Sequence, residues 1–286
     1  MKLLVTGATG KLGSKVVKTL LTSIPSSDLV VSVRNPEKAE DLKTQGIEVR
    51  QGDFDHPTTL DNAFKGIDRL LIISADGDDE TRIRQHLNAV EAAERAKVKF
   101  IAYTSIAKAT ESKNIMAPPH VETEAAIKKT GIPYSILRNN WYLENETGSI
   151  QGVKAGAPWV TSAEAGKVGW ALQQDYADAA AKVLVEDGHE NTVYELSGPL
   201  LTQQEFTDAL SIVLDKEVAI QSVTDDEYAE VMKGLGLPDA VIPIVVGIQQ
   251  SIRNGSLEVE NSDFEEVLGR PVTPIKEALT QIVNDI

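Results

Sequence analysis

Short apolar runs alternate with amphipathic stretches through the first two thirds of the chain. KLLVT (residues 2–6) reads as a buried strand, and a helix is expected over 11–21. LVVSVR (29–34), β-branched and apolar, is a second strand. PEKAEDLKTQG then opens on Pro36 and closes on Gly46, the punctuation of a helix. IEVRQGD (47–53) is a third strand, and HPTTLDNAFKG a helix with Pro57 near its start and Gly66 past its end. DRLLIIS (68–74), a long helix over 80–96, and VKFIAYTS (98–105) continue the alternation. A helix ending in AAIKKTG, a strand over 132–138, the helix DYADAAAKVLVEDG and a strand over 192–198 complete it.

Strands and helices at this spacing make βαβ units, hence a parallel sheet with helices on both faces. The expected fold is α/β, a doubly wound sheet of the Rossmann type. After Gly198 the character changes. Thr202 and Glu205 form a capping box for the stretch LTQQEFTDALSIVL, and a strand (EVAIQSV) and further helices follow. Residues 1–150 plus about 171–198 are expected to form the nucleotide-binding domain, and about 151–170 plus 199–286 a smaller, mainly helical lobe. Ligands of such sheets lie at the carboxyl ends of the strands, where strand order reverses.

The turn after the first strand is VTGATGKLG. Gly7 allows a sharp bend, Gly10 a close approach of a pyrophosphate, and Gly13 close packing of helix on strand. Thr9, Lys11 and Leu12 complete the loop, and the helix start supplies free N–H groups and a partial positive charge. A dinucleotide is the ligand this joint is built for. At the end of the second strand, where NAD sites place an acid for the ribose 2′-hydroxyl, stands Arg34, with Lys38 one turn beyond. A cation there pairs with a 2′-phosphate, so NADP is favoured over NAD. Asp53 and Phe54, past the third strand, would meet the adenine side, unless Asp53 serves instead to cap the helix near His56.

Composition narrows the chemistry. With 42% hydrophobic and 25% charged residues the chain is an ordinary globular one. Its net charge of −15 argues against nucleic acid and anionic membrane surfaces as partners. Zero cysteines exclude disulfides, thiolate catalysis and Cys-ligated metals. The four histidines are scattered without an H-E-x-x-H pair, so no metal is expected. No G-x-S-x-G elbow surrounds Ser105. The acid run DGDDE reads as the cap of the long fourth helix and EDGHEN as a solvated turn. VIPIVVGI (241–248) is far shorter than the roughly 20 residues of a membrane span. The expected location is the cytoplasm, which leaves the glycosylation patterns at Asn145 and Asn254 without meaning.

The segments VTGATGKLG, VRNPEKA, QGDFD, KFIAYTS, HVETEAAIKKTGIPYSILRNNWYLEN and VYELSG resemble the NmrA-like group of atypical short-chain dehydrogenases, above all its bacterial quinone reductases. The likeness spans nearly the whole chain and is strongest over the first 200 residues. It implies NADPH as cofactor and a quinone or similar planar acceptor as partner. The same group also holds NADP(H)-binding redox sensors with little activity, which is the alternative function. By motif, Ile73 and Ser74 would flank the adenosine and ribose, and Tyr103, Thr104 and Ser105 the nicotinamide ribose. Arg138, Asn139, Asn140, Trp141 and Tyr142 would lie against the nicotinamide and acceptor. His120, Tyr103 and Asn140 are the candidates for the reacting centre. His120 stands where many members place a lysine; otherwise it is a helix-start histidine beside Pro118 and Pro119. Trp141 and Tyr142 could equally pack the core.

One departure from the wider superfamily matters. Its usual Tyr-x-x-x-Lys pair is missing: Tyr103 is followed four places on by Ala107, Tyr134 by Arg138 and Tyr176 by Ala180. Carbonyl–alcohol chemistry with a tyrosine acid is therefore not expected. Quinone reduction asks less, since placing a nicotinamide against an electron-poor ring supplies most of what is needed. The sequence leaves the physiological acceptor, the stereochemistry and the oligomeric state open, a homodimer included.

Overall fold

Seven of the apolar runs pair into one parallel sheet. The computed structural model describes residues 1–111 and 113–286. The strands are β1 (Leu3–Thr6), β2 (Leu29–Val33), β3 (Glu48–Gln51), β4 (Arg69–Ile72), β5 (Phe100–Ile106) and β6 (Tyr134–Asn139), followed by two short ones, β7 (Trp159–Thr161) and β8 (Lys167–Val168), then β9 (Thr192–Leu196), β10 (Leu201–Thr202) and β11 (Ile220–Ser222). The helices are α1 (Lys11–Leu20), α2 (Glu40–Thr44), α3 (Pro57–Ala63), α4 (Asp79–Arg95), α5 (Pro118–Thr130), α6 (Thr147–Lys154) and α7 (Gln173–Val185). In the C-terminal region come α8 (Gln203–Leu214), α9 (Asp225–Gly234), α10 (Ile242–Arg253), α11 (Asp263–Leu268) and α12 (Ile275–Asn284).

Strand order is β3-β2-β1-β4-β5-β6-β9. It runs outward from β1 in one direction, then restarts beside β1 with β4, so the reversal lies between these two strands. β1, β2, β4 and β5 are buried along their length, as strands covered on both faces must be. Alternate residues serve alternate faces. Val5, Val31, Leu71, Ala102 and Leu137 meet α1, α7 and α11, while Leu4, Val30, Leu70, Ile101 and Ile136 meet α3, α4 and α5. The edge strand β3 carries Glu48 and Arg50, charges that discourage a further strand from pairing.

The C-terminal region builds its own core around Phe206, whose ring lies 5.0 Å from that of Trp159 and 4.5 Å from that of Trp170. β7 pairs with β11 and β8 with β10. The capping box of α8 forms, with a second one on α9 from Thr224 and Glu227. Residues 263–273 return to pack on α7: the Phe264 ring lies 4.7 Å from that of Tyr176, and the buried Asp175 accepts from Thr273 N–H and pairs with Arg270. The helix expected from Pro36 to Gly46 is a shorter object, a 3₁₀ turn over Pro36–Ala39 followed by α2. Asn35 caps the turn by accepting from Glu37 N–H. The acid run before α4 does cap it, Asp78 accepting from Thr81 N–H.

Candidate active site

The turn between β1 and α1 is shaped by its glycines. Gly7 adopts φ +62°, a left-handed conformation that side chains resist. The Gly10 N–H closes the turn on the Gly7 carbonyl at 2.9 Å. A Cβ on Gly13 would stand 2.1 Å from that same oxygen, so only glycine lets α1 sit this close to the strand. α1 begins with no side-chain cap and no acid in its first turn. Its first N–H groups are thus left for something outside the helix.

These groups open on a crevice of about 730 Å³ at the reversal between β1 and β4. Gly7, Thr9, Gly10, Lys11, Leu12 and Gly13 line one side. Arg34, Asp53 and Phe54 line the ends of β2 and β3, and Ile73, Ser74, Thr104 and Tyr142 the rest. Arg34 is exposed and makes no ion pair among the described residues. Its guanidinium is therefore available to an anion. Asp53 keeps its carboxylate in a local turn, accepting from Asp55 N–H at 3.0 Å and meeting His56 Nδ1 at 3.0 Å. The N-cap of α3 is His56 instead, and it makes no side-chain cap.

Several sequence candidates lie elsewhere, and each has a physical reason. Lys38 sits in the 3₁₀ turn, outside the lining. The side chains of Tyr103 and His120 point into the layer between the sheet and α4 and α5. There His120 Nδ1 meets the Tyr103 hydroxyl at 2.8 Å, and Arg82 Nη2 donates to His120 Nε2 at 2.9 Å. Both imidazole nitrogens are taken and the residue is 4% exposed. Burial, and then the charge of Arg82, hold its pKa well below the ordinary histidine range. It is a neutral, enclosed group whose two ring nitrogens both face protein partners. Burial likewise pushes the Tyr103 hydroxyl up, away from ionisation.

Ser105 and Arg138 belong to a buried ionic cluster. Glu124, 1% exposed, accepts from Ser105 Oγ at 2.7 Å and from Arg138 Nε at 2.9 Å and Nη2 at 2.8 Å. Arg138 Nη1 donates to Glu195 at 3.0 Å. This raises the Arg138 pKa further and leaves its fork no freedom to turn toward a ligand. Asn140 is spent on Ser197, the Leu257 carbonyl and Trp141 N–H. Trp141 donates from Nε1 to Glu146, which also accepts from Trp170. Asn139 reaches the crevice only through Tyr142, donating to its hydroxyl at 2.8 Å. That hydroxyl, pushed up to about 12 chiefly by burial, remains protonated.

The lining also contains residues to which the sequence assigned no role. Thr6, Ser32, Val33 and Gly52 lie at or just past the carboxyl ends of β1, β2 and β3, where the rule for ligands of such sheets points. Ala75 and Asp76 follow β4. Gln85, Asn145 and Gln173 arrive from α4, the segment before α6, and α7, and only the tertiary fold brings them here.

A parallel sheet with a glycine-built anion cradle at its reversal defines a Rossmann-type dinucleotide-binding protein. Residues 7–186 match the NAD(P)H-binding family, and the chain belongs to it, within the NmrA-like atypical short-chain dehydrogenases. It is similar to quinone oxidoreductase 2 of Escherichia coli K12, 37% identical over 98% of each chain. It is also similar to the NmrA-like family domain-containing oxidoreductase flvB of Aspergillus flavus, 28% identical over 99% of this chain and 95% of that one. Among solved structures, triphenylmethane reductase of Citrobacter sp. complexed with NADP(H) superposes with a TM-score of 0.95 at 39% identity, covering 98% of this chain and 100% of that one. The NADPH complex of the E. coli NADPH-dependent quinone oxidoreductase gives 0.94 at 37% identity, covering 99% and 100%.

Proposed function

We propose that the protein is an NADPH-dependent oxidoreductase that delivers a hydride to a quinone or similar planar acceptor. The observation that carries this reading is the crevice, in which a glycine cradle and an uncapped helix start face a guanidinium at the end of β2 that has no ion pair among the described residues. The residues fit NADPH. Main-chain N–H groups at the start of α1 would hold the diphosphate. Arg34 would hold the 2′-phosphate, and no carboxylate occupies its place to receive a 2′-hydroxyl. Phe54 and Ile73 offer apolar surface to the adenosine, and Tyr142, Asn145 and Gln173 polar groups to the nicotinamide end. When bound, NADPH supplies a hydride from its nicotinamide.

The protein's own part is orientation. His120, Tyr103 and Asn140 are enclosed and fully partnered, so no side-chain acid among them meets the acceptor. A quinone tolerates this, because its reduced form is a stabilised phenolate that takes its proton from water. A simple ketone does not, because its alkoxide product needs an acid at hand. The relatives that reduce quinones and triphenylmethane dyes support the same acceptor class. The acidic chain, with no membrane-length helix among the described residues, supports a cytoplasmic enzyme acting on small molecules.

Following NADPH and NADH absorbance with a panel of quinones tests the proposal. NADPH should be consumed readily and NADH far more slowly. If neither is oxidised while NADPH still binds, the protein is an NADP(H)-binding regulator.

A further inference from the structure

Sheet pairing on β4 stops at Ile72. The next three amides leave the ladder, and each is taken by a side chain from a different element. Ile73 N–H donates to Thr6 Oγ1 of β1 at 2.9 Å and Ser74 N–H to Thr104 Oγ1 of β5 at 2.9 Å. Ala75 N–H donates to His86 Nε2 of α4 at 2.8 Å. Ala75 is gripped a second time, its carbonyl accepting from Arg82 Nε at 2.8 Å. Arg82 and His86 are four residues apart, so they share one face of α4. One helix therefore holds both backbone groups of a residue that lines the crevice.

The grip is anchored from behind. Arg82 Nη2 donates to His120 Nε2, and His120 Nδ1 meets the Tyr103 hydroxyl. His86 Nδ1 lies 2.9 Å from Thr123 Oγ1, whose own hydroxyl donates to the Pro119 carbonyl at 2.6 Å. Because His86 Nε2 receives an amide proton, its ring carries hydrogen on Nδ1 and is neutral. The same reasoning makes His120 neutral.

We propose that Arg82 and His86 are positioning residues for the cofactor, fixing residues 73–76 as one wall of the crevice, and that protonation of His86 releases this wall. The proposal rests on the reading of the crevice as an NADPH site. A proton on Nε2 sets two donors head to head where His86 meets Ala75, so the pair has to open. The groups facing His86 are Arg82 on α4, Tyr103 on β5, and His120 and Thr123 on α5, none of which welcomes a second cation. Glu124 of α5 is already committed to Ser105 and Arg138. Burial, and then Arg82, bring His86 down to about 4. The wall therefore holds at neutral pH and loosens in acid.

Two substitutions separate the nitrogens of His86. The Oε1 of His86→Gln reaches where Nε2 stands and can still accept from Ala75, without titrating. The Oδ1 of His86→Asn reaches where Nδ1 stands and leaves the Ala75 amide without a partner. Calorimetric titration of the full chain with NADP⁺, which survives acid, is run from about pH 7.5 to about pH 3.5, so that it crosses the value of about 4 at which His86 takes its proton. At neutral pH His86→Gln should bind within about threefold of wild type, and His86→Asn about tenfold more weakly. KM for 1,4-benzoquinone should be unmoved in both. As pH falls, wild type should weaken relative to His86→Gln, a ratio from which the titration of the NADP⁺ phosphate cancels. Equal binding by wild type and His86→Asn, equal weakening of both variants, or a ratio flat with pH each overturns the proposal. If circular dichroism shows His86→Asn unfolded, the pH ratio still decides. If wild type fails to bind NADP⁺ at neutral pH, the functional reading falls first and this one with it.

Discussion

Arg34 and His120 show how differently a single residue can turn out. Both are candidates by position, Arg34 at a strand end and His120 at a helix start. Arg34 stands exposed on the crevice with its guanidinium unengaged among the described residues, which is what an anion-binding residue needs. His120 is enclosed, and Arg82 and Tyr103 occupy its two nitrogens. A motif can locate a histidine in the chain, but not the face of the sheet toward which it turns. Two outcomes follow. Arg34→Glu should shift the ratio of kcat/KM for NADPH over NADH by about ten- to a hundredfold toward NADH, the range expected when one charge-assisted hydrogen bond is removed. An unchanged ratio removes Arg34 from the site. His120→Gln should leave kcat with a quinone within about tenfold of wild type, whereas loss of a general acid removes about 10²- to 10⁴-fold. A drop of that larger size would restore His120 as proton donor.

At the level of elements, the strands and long helices were legible because burial on both faces writes a continuous apolar run and amphipathic packing writes a helical period. The exceptions are small. β7, β8 and β10 have two or three residues each, too few for any period to show, and they exist only because each finds a partner strand. The buried ionic cluster was also illegible. Glu124 on α5, Arg138 on β6 and Glu195 on β9 are far apart in sequence, and only strand order makes them neighbours. This cluster ties three elements, so Glu124→Ala should lower unfolding stability by about 2–3 kcal/mol, because Arg138 loses its two-pronged partner and keeps only Glu195. Chemical denaturation measures it; a decrease below about 1 kcal/mol would mean that the cluster is not tight. Gly13→Ala should weaken NADPH binding as well as stability, since its Cβ meets backbone that cannot yield.

At the scale of the whole molecule, the sheet reversal gathers residues from the carboxyl ends of β1 to β5 and from α1, α4 and α7 around one crevice. The glycine loop announced it. Gln85 and Gln173 gave no local sign, because their place depends on how α4 and α7 pack rather than on the residues beside them. Acid should act on the whole fold through His86. Unfolded histidine takes up its proton near 6.5, and folded His86 only at about 4. Between these values the unfolded chain binds more protons, so this group's contribution to stability is full above about 6.5 and shrinks as pH falls toward about 4. The Tm of His86→Gln minus that of wild type should therefore rise as pH falls across that window. A difference constant with pH would show that His86 titrates alike in both states.

The most direct measurement is calorimetric titration of the full chain with NADPH and, separately, with NADH. NADPH should bind in one-to-one ratio and at least about tenfold more tightly than NADH, the extra affinity coming from the 2′-phosphate on Arg34. Equal affinities, or no heat with NADPH, would contradict the assignment of this crevice to an NADPH-dependent enzyme.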